Sequence, residues 1–413
     1  MTGISHSVGS CPMVAIDIAK LSHEVLIEFP DGKRKRMKVR NSREGFESFF
    51  EHLKPFPKVI AGLEPSGNYH RNFAHFLLEK SVDLKCISSI VAARTREALH
   101  NSWDKNDPKD AQVILYLLKH NLTQIYHDPY KERTIDVQEL AGKHYQISQR
   151  RTEIRHSIIN HYFAIYFPEA EKFWNPNRGE WFGRLMLHFP APSFVQSLTE
   201  DEFLNQALPL LKGRPMKEVL LRDFYLVAKN SIGVPTSIDS EMVRLFKDDI
   251  LEMQQLTERL KKIEERSHEY LCHRTDYKVL RSLPGIGPVI ALNIIAEAGD
   301  LKRFKHEKQF LKFCGFDLST SQSGQYRGYS QISKRGNRRL RSMFWQAAKT
   351  AVHMNTNSFQ KKFSDYISKD PKNKDLRRKA YTATAIKMAR VAYALVTKET
   401  YYRPLSMEVG QVE

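Results

Sequence analysis

Two apolar, β-branched runs that each end on a carboxylate constrain this chain most. Met13-Val14-Ala15-Ile16 leads into Asp17, and Val59-Ile60-Ala61-Gly62-Leu63 leads into Glu64. Both runs read as buried strands. A third acidic element follows: Asp107-Pro108-Lys109-Asp110 opens a helical pattern, with Pro108 suited to a first turn. Residues three apart on a helix share a face. Two acids at strand ends and two on one helical face make a cluster that repels itself unless divalent cations lie within it. Mg²⁺ takes oxygen ligands, and paired Mg²⁺ ions clamp both oxygens of a phosphoryl displacement. A lone Asp at a strand end is more often a turn or cap residue, and D-x-x-D is common. The order strand–Asp, strand–Glu, helical Asp-x-x-Asp is what carries the reading.

The elements around these acids form a recognisable plan. Strands are expected over 13–18, 22–29 and 33–39, with Asp31-Gly32 as a hairpin signal. A helix over 42–54, a strand over 57–64, a helix over 69–80, a strand over 83–88 and a helix over 89–99 follow. A three-strand meander followed by alternating strand and helix is the ribonuclease H-like plan. It places the first and fourth strands side by side and brings Asp17 near Glu64.

Beyond residue 128 the pattern turns helical. Leu140, Ile147, Ile154, Ile158, Tyr162 and Ile165 recur at steps of three, four and seven, which predicts a long helix in coiled-coil-like packing. Phe246, Ile250, Met253, Leu256, Leu260 and Ile263 mark a second. The pair packs antiparallel within one chain or across a dimer. Residues 169–235, rich in Trp, Phe and Pro, read as an insertion between them. Leu283-Pro284-Gly285-Ile286-Gly287, between two apolar helical patterns, is a helix–hairpin–helix signature, whose glycines let backbone N–H groups approach a phosphate. A tight turn inside a helical core is the plainer alternative. The domains are thus 1–128, 129–270 with the insertion, and 271–413.

Charge points to a polyanion. The chain of 413 residues has a net charge of +18, and residues 331–403 hold 18 Lys or Arg against 4 Asp or Glu. Nucleic acid is the first partner this suggests, although a solvated helical face also carries such charge. Lys334, Arg335, Arg338, Arg339 and Arg341 are candidate phosphate contacts. No apolar run is long enough to span a bilayer, and the N-terminus lacks a signal pattern. Four scattered cysteines suggest a reducing compartment and no structural zinc. Residues 1–10 and 404–413 read as a disordered start and a tail.

The constellation resembles the transposases of the insertion sequence 110 family, to which the pilin-gene invertases are related. The N-terminal resemblance runs through Ala15-Ile16-Asp17-Ile18-Ala19-Lys20, Glu64-Pro65-Ser66-Gly67-Asn68-Tyr69 and Asn106-Asp107-Pro108-Lys109-Asp110-Ala111. The C-terminal resemblance runs through Leu283-Pro284-Gly285-Ile286-Gly287, Phe313-Cys314-Gly315-Phe316, Gln322-Ser323-Gly324 and Ile332-Ser333-Lys334-Arg335-Gly336-Asn337. It implies an α/β RuvC-like DEDD domain, long helices, and a mainly α C-terminal transposase domain. It assigns the DEDD set to Asp17, Glu64, Asp107 and Asp110, binding Mg²⁺, and the catalytic serine to Ser323, with Ser321 as fallback. Gly324 would then let the backbone approach DNA. It further implies recombination of donor and target DNA directed by a structured non-coding bridge RNA. The active species would be a dimer or tetramer with composite sites, in a prokaryotic cytoplasm. Departures from the family pattern are Asn106 for Thr, Ser66-Gly67 for Thr-Gly, and Gly315-Phe316-Asp317-Leu318 for Gly-Leu-x-Pro. The alternatives are a metal-only nuclease such as a junction resolvase, with water as nucleophile, and a non-catalytic nucleic-acid-binding protein that keeps the fold.

Overall fold

The computed structural model describes residues 11–100, 107–174, 180–211, 217–319, 322–323, 326–327, 331–354 and 357–404. The expected disordered start and most of the expected tail lie outside these residues. The chain divides into two units, residues 1–132 and 133–413. The first is mixed α/β and the second mainly helical.

In the first unit β1 (Met13–Asp17), β2 (Ser22–Glu28) and β3 (Arg34–Arg40) form an antiparallel meander. Gly32, at φ +82°, turns β2 into β3. Helix α1 (Arg43–Glu51) starts on Ser42, whose hydroxyl accepts from the Gly45 N–H. Then come β4 (Ile60–Leu63), α2 (Arg71–Glu79), β5 (Asp83–Cys86), α3 (Ser89–His100), α4 (Asp107–Lys119) and β6 (Gln124–Ile125). The sheet order is β3-β2-β1-β4-β5-β6, with β1 and β4 parallel. The expected strands and helices all occur; most are trimmed at their ends, while β3 and α3 each run one residue further than expected.

Both faces of the central strands are covered, which explains why β1 and β4 are continuous apolar runs rather than alternating ones. One face buries Val14, Ile16, Ala61 and Leu63 against Phe46, Phe49 and Phe73. The other buries Ala15 and Leu26 against Ala111, Ile114 and Leu118 of α4. His23 is fully buried, stacked 5.1 Å from the Phe73 ring. Its Nδ1 accepts from the Ala19 N–H at 3.3 Å and so ties down the loop after Asp17. Burial pulls its pKa below the usual value, against a weaker opposing effect of Asn41.

The second unit is built on α5 (Ile135–Ser157) and α11 (Glu241–Leu271). Tyr270 bonds Asp136, His144 bonds Glu264, Arg150 bonds Glu252 and Ser157 bonds Asp249. As one index climbs the other falls, so the two helices pack antiparallel within the chain. The apolar seam dominates: each buried Ile or Leu contributes about 1.5–3 kcal/mol, against at most about 1 for an exposed ion pair. The polar pairs set the register.

One seam residue departs from expectation. A π-helical segment, Ile158–Phe163, follows α5 before the short α6 (Ala164–Tyr166). Its wider i→i+5 spacing rotates the face. Phe163 and Phe167 enter the core instead, and Ile165 is left 38% exposed.

The insertion is helical. After a 3₁₀ turn at Pro168–Phe173 come α7 (Glu180–His188), α8 (Ser193–Gln196), α9 (Glu200–Ala207) and α10 (Lys217–Lys229). Phe167, Phe182, Phe203 and Phe224 close around Ile154, Phe246 and Ile250 at one end of the helical pair.

At the other end, Val137, Ala141 and Leu271 join the core of the remaining helices. These are α12 (Thr275–Ser282), α13 (Pro288–Ala298), α14 (Glu307–Cys314), α15 (Arg338–Val352), α16 (Ser358–Ile367) and α17 (Lys374–Lys398). Helix α13 is apolar apart from Asn293 and Glu297 and is largely buried accordingly. Gly285 sits at φ +82°, and a Cβ there would lie 2.2 Å from the Ala347 carbonyl of α15. Gly142, mid-helix in α5, faces open space.

This contrast is testable by thermal unfolding. Gly285→Ala should destabilise the second unit by about 2 kcal/mol or more, from overpacking and the left-handed backbone. Gly142→Ala should stabilise it by about 0.5–1 kcal/mol through helix propensity alone.

Candidate active site

Strand pairing places the first two acids together. In the parallel β1–β4 ladder Ile16 faces Leu63, so Asp17 and Glu64 come next on adjacent strands. Neighbouring strands lie about 4.8 Å apart. Alternation along each strand turns both acids towards the α4 face, since Ala15 and Gly62, two residues back, meet that helix. Both are half-buried. The Glu64 charge also reaches Cys86, which ends β5 and faces Leu63. Burial, then Glu64, pushes the Cys86 thiol up to about 11.

Helix α4 begins at Asp107 and packs over β1, β2 and β4. Asp110 is 3% exposed and accepts from Arg96 Nε of α3. The Asp107 side chain lies outside the described residues. Among the described residues no three His, Cys, Asp or Glu side chains gather closely enough to hold a metal. The donors are hard oxygens of the kind Mg²⁺ takes, but in this conformation Asp110 is engaged by Arg96 instead.

Arg96, the partner of the candidate residue Asp110, is a contact that sequence reasoning missed. Its signal is indirect: a buried carboxylate needs a cation, and α3 carries Arg94 and Arg96 within an otherwise largely apolar helix.

In the second unit β7 (Leu318–Ser319) pairs with β10 (Gln331–Ile332), and β8 (Gln322–Ser323) pairs with β9 (Tyr326–Arg327). Ser323 faces Tyr326, so two residues, Gly324 and Gln325, join these strands. Ser321, Gly324 and the Ser323 side chain lie outside the described residues.

The segment after the loop is strapped to the core. Ser333 Oγ donates to Asp317 at 2.7 Å, and the Asn337 N–H donates to the Phe313 carbonyl at 2.7 Å. Gly315 takes φ +73° at the end of α14, and its would-be Cβ position is filled by Arg341 Nη1.

The five candidate basic contacts divide into two groups. Arg341 Nη1 donates to the Cys314 carbonyl at 3.0 Å, and burial lowers its pKa. Arg339 donates to Glu297 at 3.1 Å and lies 4.1 Å over the Tyr145 ring. Both serve the fold directly. Lys334, Arg335 and Arg338 are exposed. The hairpin glycines also divide: Gly285 is required by its approach to α15, whereas a Cβ on Gly287 would meet just Arg281 Nη1, at 3.9 Å.

Breaking the Arg96–Asp110 pair tests the site. Arg96→Gln leaves a buried carboxylate without its cation, a change that costs about 3–5 kcal/mol in buried pairs. The melting transition of the first unit should fall in EDTA, and Mg²⁺ should recover more stability than it adds to the parent protein. Equal Mg²⁺ effects on both proteins would argue against Asp110 as a cation ligand.

Comparison with known proteins supplies the lineage. A DEDD transposase family model matches residues 14–168, and the model described as Transposase IS116/IS110/IS902 family matches residues 277–364. A probable family 20 transposase of Pseudomonas aeruginosa is 29% identical over 196 residues, 47% of this chain and 55% of that protein. The transposase for insertion sequence element IS1111A of Coxiella burnetii is 31% identical over 128 residues, 31% of this chain and 35% of that protein. An uncharacterised 44.8 kDa protein of insertion element IS116 from Streptomyces clavuligerus is 33% identical over 99 residues, 24% of each chain. The matches thus span about half the length of these relatives or less. With both family models matched in order along it, the chain belongs to the IS110/IS116/IS902 family of transposases.

Proposed function

We propose that this chain is an RNA-guided DNA transposase that cleaves and rejoins strands through Ser323, assisted by divalent cations at Asp17, Glu64, Asp107 and Asp110. The observation that supports the reading is the register of β1 on β4, which sets Asp17 beside Glu64 on the sheet face that α4, the helix of Asp110, covers. The DEDD family match supports divalent-metal use; Mg²⁺ as the ion is part of the proposal. The bridge RNA, the donor and target DNAs and the homo-oligomer come from the family resemblance. The basic segment after the serine loop is consistent with a nucleic-acid partner. Among the described residues no helix is long and apolar enough to cross a membrane. Action on chromosomal DNA in the cytoplasm belongs to the same proposal.

A serine hydroxyl is a weak nucleophile at neutral pH. The cations, when bound, would stabilise charge that develops on the phosphate. Ser323 Oγ attacks the scissile phosphorus and forms a phosphoserine bond. The bond from phosphorus to the leaving sugar oxygen breaks, and that oxygen departs as a hydroxyl. Attack by a hydroxyl of the exchanged strand reverses the step and releases Ser323. No water is consumed, so the phosphodiester energy is kept for rejoining. Lys334, Arg335 and Arg338, exposed beside the loop, are the proposed phosphate contacts there.

A metal-only nuclease is the rival, and one observation favours it: all four acids lie within the first unit, which has its own cores. Incubation with guide RNA, both DNAs and Mg²⁺, followed by denaturing gels, separates the two. The expected result is a protein–DNA adduct that Ser323→Ala abolishes. Cleavage without adduct, unaffected by that substitution, would establish the nuclease. Tight binding without cleavage would leave a non-catalytic binding protein.

A further inference from the structure

The edge strand of the N-terminal sheet is strongly basic on one face. β3 reads Arg34-Lys35-Arg36-Met37-Lys38-Val39-Arg40. Val39 is buried and Met37 half-buried in the core that α1 covers, and Lys35 Nζ lies 3.1 Å from His52 Nε2 at the end of that helix. Arg34, Arg36, Lys38 and Arg40 therefore share the opposite face, and all four are exposed. This is the face of Asp17: Asp17 pairs with Glu24, and Glu24 pairs with Lys38. At about 4.8 Å per strand, the basic row runs about 10 Å from the Asp17 backbone.

Two of the four are balanced locally. Glu28 accepts from Arg34 at 2.8 Å, and Glu24 lies 3.7 Å from Lys38. Arg36 and Arg40 have no ion pair among the described residues. Beside Arg40 the surface dips into a basin of about 440 Å³, lined by Leu21, Ser22, Lys38, Arg40, Asn41 and Ser42. Helix α1 starts there, and its N-terminal dipole adds positive potential. Edge lysines also deter strand pairing. That role has no need of arginines, whose planar fork fits phosphate oxygens in pairs, and three of these four are arginines.

We propose that the exposed face of β3 is a track for the phosphodiester backbone of one nucleic-acid strand, led past Asp17 and Glu64 with Arg36 and Arg40 as its principal contacts. Same-face side chains recur about every 6.7 Å along a strand, comparable with successive phosphates. The proposal rests on the reading that the first unit acts on nucleic acid, but its test involves no cleavage.

Full-length protein is titrated in EDTA over a salt series with two labelled probes of equal length, a duplex DNA and a single-stranded RNA. Losing two phosphate contacts lowers the slope of log K against log salt by about 1.8 on a duplex and about 1.4 on a single strand. Arg36→Gln/Arg40→Gln should flatten the slope by that amount on at least one probe, and which probe responds identifies the strand. Lys35→Gln, on the other face, should change neither. As a check on unmodified protein, the responding probe should protect Lys38 but not Lys35 from acetylation. Unchanged slopes on both probes, or equal protection of both lysines, overturn the track. If a Ser323 adduct still forms in that case, the serine-recombination reading survives without the track. A flattened slope in a protein that forms no Ser323 adduct keeps the track and removes that reading.

Discussion

The pairing of β1 with β4 is the constraint on which the candidate site depends. These strands are parallel, neighbours in the sheet and far apart in sequence. A slip of one residue would turn Asp17 from the α4 face into the aromatic core around Phe46 and Phe73. Burial of Val14, Ile16, Ala61 and Leu63 opposes that slip, because each would have to trade places with a residue of the other face. Gly62 sets the third dimension. A Cβ there would lie 2.7 Å from Leu118 Cδ2, so the close approach of α4 to the sheet depends on that glycine. Asp110 lies one turn before Ile114, on the helix face that packs against the sheet. Three acids are thus positioned by apolar contacts, and the half-buried Arg96 balances the most enclosed of them.

The second unit depends on a different device. Helices α5 and α11 share two cores, one at each end. The aromatic insertion closes one end, and the transposase-matched helices close the other. A long helical pair of this kind spaces two bodies at a set separation, and its buried side chains rather than its ion pairs hold it. Around the serine loop the logic is local. The motif residues Gly315, Ser333 and Asn337 and the helix residue Arg341 brace the end of α14, so the loop carrying Ser323 leaves from a fixed base.

Basic residues in this chain do two kinds of work, and sequence treats them alike. Arg96, Arg339 and Arg341 commit their guanidinium groups to acceptors of the protein itself. Lys334, Arg335, Arg338 and the β3 row face solvent. A cluster of positive charge is visible in composition, but which members are available to a polyanion depends on what each side chain meets after folding.

Sequence by itself determined the elements and their order. The apolar runs before Asp17 and Glu64, the Asp-Gly hairpin, the helix opening at Asp107 and the seams of α5 and α11 follow from local periodicity, which is written in neighbouring residues. Only the tertiary structure decided what depends on distant partners. It paired the long helices within one chain and moved Ile165 off the seam through a π-turn. It gave Gly285 a neighbour in α15, and it set Arg96 against Asp110. Each is a contact between segments that local pattern does not link, and the spacing of residues along a sequence carries no direct record of which separated groups will meet.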